Sequence, residues 1–142
     1  MNIWFKENLD LDAINKFNKN TLVEHLEISI TAIDENSLTG TMPVKPTTHQ
    51  PFGVLHGGAS CVLAESLGSI ASNLCVDNKT HFCVGLEINA NHVRPVSSGL
   101  VTGKASIIHL GKTTHIWDIK ITNEEGKLVC ISRLTMAVVE KK

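Results

Sequence analysis

The chain alternates between two hydrophobic rhythms. In LDLDAINKF, residues 9–17, the apolar positions Leu11, Ile14 and Phe17 recur at helical spacing behind Asp10, a residue suited to capping a helix start. This predicts a short amphipathic helix at the edge of the core. Apolar and polar residues then alternate at period two in ISITAI (28–33) and LTGTMPV (38–44), on either side of the polar tetrad Asp34-Glu35-Asn36-Ser37. That is the pattern of a β-hairpin. KPTTHQPFG (45–53), with two prolines, two threonines and a glycine, predicts a loop.

From Gly57 to about Leu74 the rhythm becomes helical again, with many small residues around the larger Val62, Leu63, Leu67 and Ile70. Such a helix can approach other backbones closely. Being apolar on nearly every side, it is expected to be enclosed. The C-terminal half returns to period two over roughly 82–95, 100–110, 113–122 and 127–139, with turn signals at SSG, LGK and NEEG, which predicts an antiparallel meander. In FCVGLEINANHVR the even positions Phe82, Val84, Leu86, Ile88 and Ala90 are expected on one face, with His92 and Arg94 continuing it. A hairpin, one long helix and four long strands bury their apolar faces together if the sheet curls around the helix, an α+β arrangement. There are too few helices to cover a parallel sheet, so a βαβ nucleotide fold is disfavoured.

Composition narrows the function classes. A chain of 142 residues predicts a single domain, and 42% hydrophobic with 19% charged residues at a net charge of −1 excludes both disorder and a strongly basic nucleic-acid surface. Residues 57–76 have the length of a membrane span, but Glu65, Asn73 and several serines interrupt them and no Lys/Arg cluster flanks them. The N-terminus, MNIWFKENLD, lacks the apolar stretch of a secretory signal, so a cytoplasmic protein without membrane partners is expected. Cys61, Cys75, Cys83 and Cys130 form no CxxC pair and read as reduced thiols, and His25, His49, His81, His109 and His115 share no metal-ligand spacing. No metal is expected.

The chemistry concentrates in HQPFGVLHGGASCVLAESLGSIASN, residues 49–73, where one carboxylate, Glu65, stands in an otherwise apolar helix. An unpaired carboxylate is costly to bury, so Glu65 is expected to be either paired or working. The helix start offers complementary chemistry, because first-turn N–H groups lack intrahelical acceptors and the macrodipole is positive there. Gly57 N–H, with no side chain to obstruct it, is the candidate donor to a developing oxyanion. Glu65 lies eight residues further on, about 12 Å along the axis. The two cannot reach one carbonyl within a chain, whereas antiparallel pairing of two such helices could bring them together. Ser69, at i+4 from Glu65, shares its helical face and could hold the carboxylate or a water.

QPFGVLHGGASCVLAES, VGLEINANHVRP and LGKTTHIWDI resemble the hotdog-fold acyl-CoA thioesterases, within them the group that hydrolyses 1,4-dihydroxy-2-naphthoyl-CoA in menaquinone synthesis and its sister that clears misloaded aroyl carrier proteins in siderophore synthesis. The resemblance runs over essentially the whole chain. It implies a sheet wrapped around a central helix, a homodimer whose active sites are built from both chains, and a homotetramer. It implies that Glu65 is nucleophile or general base and Gly57 the oxyanion donor, and that Gln50 and His56 come from the opposing chain to orient thioester or water. Coenzyme A is then part of the substrate and no cofactor is needed. Its phosphates call for cations, and the candidates are His92 and Arg94 on the strand row and Lys112 in the turn LGKT, where the family often has a small hydroxyl residue. The acyl group, and the choice between CoA and a carrier protein, stay open. A hotdog dehydratase would carry a PGV-like entry where this chain has FGVLHGG, and a noncatalytic acyl-CoA-binding module would be favoured if Glu65 were absent.

Overall fold

The computed structural model describes residues 2–142; Met1, the first residue of the segment read for a secretory signal, lies outside them. Two short helices, α1 (Leu11–Phe17) and α2 (Leu22–His25), precede a hairpin of β1 (Ser29–Ile33) and β2 (Ser37–Pro43). A single 3-10 turn, Pro46–Thr48, leads to the long helix α3 (Gly57–Leu74), and four strands follow: β3 (His81–His92), β4 (Leu100–Leu110), β5 (Thr114–Thr122) and β6 (Leu128–Glu140). Asp10 caps α1 as its spacing predicts, accepting from the Asp12 N–H at 3.0 Å. Helix α2 has no sequence counterpart above.

All six strands form one antiparallel sheet in the order β1-β2-β4-β5-β6-β3. This corrects the four-strand meander. Strands β4, β5 and β6 do run as a meander, but β3 crosses to the far side and pairs with β6, while β4 pairs with β2. Period two marks each strand and carries no information about its neighbour, because any amphipathic strand fits beside any other.

Helix α3 lies across the inner face and buries Leu63, Ala64, Leu67, Gly68 and Ala71 against Leu38, Met42, Val101, Trp117, Ile119 and Leu134. The small residues make that approach possible. A Cβ on Gly68 would strike the Leu134 side chain, and a Cβ on Gly103 of β4 would lie 2.7 Å from Leu67 Cδ1. Near its C-terminus the helix is also pinned by hydrogen bonds. Buried Ser72 accepts from Trp117 Nε1 at 2.7 Å and meets His115 Nδ1 at 2.9 Å, and the Asn73 amide pairs with both backbone groups of Cys83 at 2.9 and 3.1 Å.

Two expectations about faces change. Helix α3 is not enclosed on every side: Glu65 and Gly58 are exposed, and Cys61, Val62, Ser69 and Ile70 are half-buried. The β3 row is broken by a bulge at Leu86, where pairing with β6 shifts between Gly85↔Met136 and Glu87↔Thr135. An inserted residue reverses the alternation. Cys83 is therefore buried while Phe82, Val84 and Leu86 are exposed, and beyond the bulge Ile88 and Ala90 pack on the core. Among the described residues no helix is long and apolar enough to cross a membrane.

Candidate active site

The loop before α3 is tightly organised. The His56 N–H donates to the Thr48 carbonyl at 2.8 Å, the Leu55 N–H to the Val96 carbonyl at 2.7 Å, and an isolated bridge joins His49 to Leu55. Inside that bridge the chain reverses, with the Gly53 N–H donating to the Gln50 carbonyl at 3.0 Å and Gly53 at φ +80°, a left-handed conformation that suits glycine. The half-buried Gln50 uses its side-chain oxygen to accept from the Phe52 N–H, which leaves its amide NH2 for other partners, and Phe52 at the tip is 90% exposed.

His56 is the N-cap of α3, its Nδ1 accepting from the Gly58 N–H at 2.8 Å. An accepting Nδ1 places the neutral ring's proton on Nε2, so exposed His56 presents an N–H donor outward. The Ala59 N–H donates to the His56 carbonyl at 3.0 Å. Among the described residues Gly57 is thus left as the first-turn residue whose N–H has no acceptor. Its Cα is shielded on one side, because a Cβ there would lie 2.9 Å from His92 Nε2. Any larger residue would have to displace that imidazole.

Two turns further along, Glu65 projects from α3 toward the inner side of β3. A Cβ on Gly85 would lie 2.5 Å from Glu65 Oε2, so glycine makes room for the carboxylate. Among the described residues nothing donates a hydrogen bond to Glu65 and no cation pairs with it. It opens instead, with Ser69, on a cleft of about 640 Å3 between α3 and the N-terminal segment. At Cys61, one turn before Glu65, burial and then the Glu65 charge push the thiol pKa up, which disfavours its thiolate. Burial takes the Cys75 thiol to about 12, and the Cys83 and Cys130 thiols to about 11. All four cysteines are free thiols.

Within one chain His92 and Arg94, two residues apart, lie far from Lys112. The His92 ring rests against Gly57 at the helix start. Arg94 is exposed just beyond β3, donating from Nη1 to the Leu128 carbonyl at 2.6 Å. Lys112 is exposed in the β4–β5 turn, beside Thr113, whose carbonyl accepts from the Val138 N–H. The backbone partners of Arg94 and Thr113, Val129 and Val138, are nine residues apart on β6, or about 30 Å. The antiparallel path sends the two loops to opposite ends of the sheet, so Lys112 stands far from Arg94 within one protomer. Among the described residues no three His, Cys, Asp or Glu side chains are grouped to hold a metal ion. Asn73 entered the sequence reading only as a break in the apolar run, and its pairing with Cys83 had no local signal.

Comparison with known proteins matches residues 52–130 to the family model of the thioesterase superfamily. A 1,4-dihydroxy-2-naphthoyl-CoA hydrolase of Escherichia coli is 47% identical over 96% of this chain and 99% of its own. The proofreading thioesterase EntH of Cronobacter turicensis is also 47% identical, over 96% and 98%. The crystal structure of a mutant thioesterase from Pseudomonas aeruginosa superposes with a TM-score of 0.95 at 55% identity, covering 98% of this chain and 99% of that one. The chain belongs to the thioesterase superfamily, has its hotdog fold, and is an enzyme that hydrolyses thioesters.

Proposed function

We propose that the protein hydrolyses acyl-CoA, with an aroyl-CoA such as 1,4-dihydroxy-2-naphthoyl-CoA as its substrate, to the free acid and CoA. The observation that carries this reading is the Glu65 carboxylate, unpaired among the described residues and open to a cleft. A carboxylate in that state can take a proton from water or attack a carbonyl itself. In the first route water adds to the thioester carbon as Glu65 takes its proton. The carbonyl oxygen becomes an oxyanion that accepts from Gly57 N–H, and the C–S bond then breaks with the thiolate receiving a proton. In the second Glu65 forms a mixed anhydride, thiolate leaves, and water cleaves the anhydride. Ser69 shares the Glu65 face and would steady carboxylate or water. Gln50 and the His56 Nε2–H would orient the carbonyl.

The eight-residue separation of Gly57 and Glu65 along α3, about 12 Å, supports a site shared by two copies. Strand β3 ends the sheet with its outer edge unpaired by another strand over 85–92, which suits it to joining a partner. A homodimer, and a homotetramer of two such dimers, are part of this proposal, as are a cytoplasmic location and a place in menaquinone synthesis. His92, Arg94 and Lys112 would meet the CoA portion, the first near the thioester and the others from separate protomers.

A second reading, hydrolysis of aroyl thioesters on a carrier protein, is favoured by the equal identity to EntH. The test is release of free thiol from naphthoyl-CoA, benzoyl-CoA and aroyl carrier protein. Faster release from the CoA thioesters supports the first reading, faster release from the carrier protein supports the second, and binding without release contradicts both.

A further inference from the structure

We propose that Gly85 is a positioning residue of the hydrolase: its bare inner face, together with the β-bulge that follows it, sets where the Glu65 carboxylate stands. This rests on the hydrolase reading above and adds what holds the carboxylate in place. No turn or left-handed backbone calls for glycine here, since Gly85 lies within β3 and is not among the glycines at positive φ. The space left by its missing side chain belongs to one group. A Cβ there would lie 2.5 Å from Glu65 Oε2 and 3.4 Å from Glu65 Cδ, and apart from its chain neighbours no other described residue comes nearer than Met136, whose Sδ would be at 3.9 Å. The strand is notched for the carboxylate.

The bulge lets one strand serve both ends of the site. From Gly85 to His92 is seven residues, an odd step that in a regular strand turns the two to opposite faces. Yet both face α3, Gly85 under Glu65 and His92 with its ring against Gly57. The extra residue at Leu86, where pairing with β6 passes from Gly85↔Met136 to Glu87↔Thr135, restores the parity. Without it, either the notch would turn away from Glu65 or His92 would turn away from the helix start. Upstream, the Asn73 amide holds both backbone groups of Cys83, two residues before Gly85, at 2.9 and 3.1 Å. The notch is thereby fixed to the helix that carries Glu65.

The experiment measures kcat and KM for naphthoyl-CoA, and the melting temperature, in the parent, Gly85→Ala, Glu65→Asp and the double variant. A methyl at Gly85 presses only on the end of a flexible side chain, so the melting temperature is expected to stay within a few degrees of the parental one. The carboxylate must give way by about 1 Å to reach ordinary contact. A misplacement of that size is expected to lower kcat about 10- to 100-fold while KM changes less than about threefold. Glu65→Asp draws the carboxylate back from the notch, so in that background the added methyl is expected to change kcat less than about twofold, and the two losses do not multiply. If Glu65→Asp is inactive, the kcat and KM split and the melting temperature of Gly85→Ala decide. Parental kcat in Gly85→Ala, a loss carried by KM, losses that multiply in the double variant, or a Gly85→Ala that fails to fold or melts well below the parent would overturn the positioning role while leaving the hydrolase reading in place. A parent that releases thiol from no acyl-CoA, or a Glu65→Gln variant with parental turnover, would remove the hydrolase reading itself.

Discussion

Glu65 and Ser72 stand two turns apart on the same helix and are treated in opposite ways. Ser72 is fully buried, and its hydroxyl is shared between the Trp117 indole and the His115 ring, with Asn73 beside it bound to the backbone of Cys83. Glu65 is exposed instead, and among the described residues nothing donates a hydrogen bond to it and no cation pairs with it. The C-terminal half of α3 thus uses polar groups to fix the helix on the sheet, where a missing partner is expensive. The N-terminal half keeps Glu65, the Gly57 N–H and the His56 Nε2–H unspent and pointing outward. Polar groups that a fold leaves unsatisfied at its surface are available to a ligand.

Substitutions can sharpen this contrast or break it. The largest effect is expected from Glu65→Gln, a nearly isosteric change, which should lower turnover at least about 10²-fold in a thiol-release assay. Ser72→Ala should leave the buried Trp117 and His115 nitrogens without their partner and lower stability by about 1–3 kcal/mol in urea unfolding. Asn73→Ala gives up two bonds at a half-buried edge, and a loss of about 1 kcal/mol is expected by the same measurement. Arg94→Ala should weaken capture of CoA thioesters by a few-fold and leave pantetheine thioesters without the nucleotide unaffected, read as KM. Equal losses on both would rule out a phosphate contact.

The smallest effect is a pH dependence in the structural half. Burial, with His109 nearby, lowers the His115 pKa from its ordinary 6.5. The unfolded chain therefore binds the proton more readily than the folded one, so stability is full above the unfolded value and declines as pH falls below it. Thermal melts from pH 7.5 to 5 should show this decline in the parent and a shallower one in His115→Asn.

Much of this contrast was written in the sequence, though not always for the right reason. Period-two alternation marks the strands, and the run of small residues marks a helix that can press on a sheet, which Gly68 beneath Leu134 makes concrete. The order of strands was not legible, since alternation at β3 says nothing of whether its neighbour is β4 or β6. The bulge at Leu86 was hidden for a similar reason: one inserted residue leaves composition unchanged while it turns the first half of the strand over. Glu65 was singled out as a buried charge, whereas in one chain it is exposed and stands on the rim of a cleft. The small neighbours that suggested enclosure are what allow β3 to approach it at Gly85. His56 was read as a group that orients thioester or water, and its two nitrogens let it cap the helix while remaining available for that.

The division of α3 into a holding half and a working half is tested most directly by measuring thiol release and thermal unfolding side by side in Glu65→Gln and Ser72→Ala. The expected result is a crossed pattern. Glu65→Gln keeps the parental melting temperature and loses turnover, and Ser72→Ala melts lower yet turns over naphthoyl-CoA near the parental rate per folded molecule. Parental turnover in folded Glu65→Gln would contradict it.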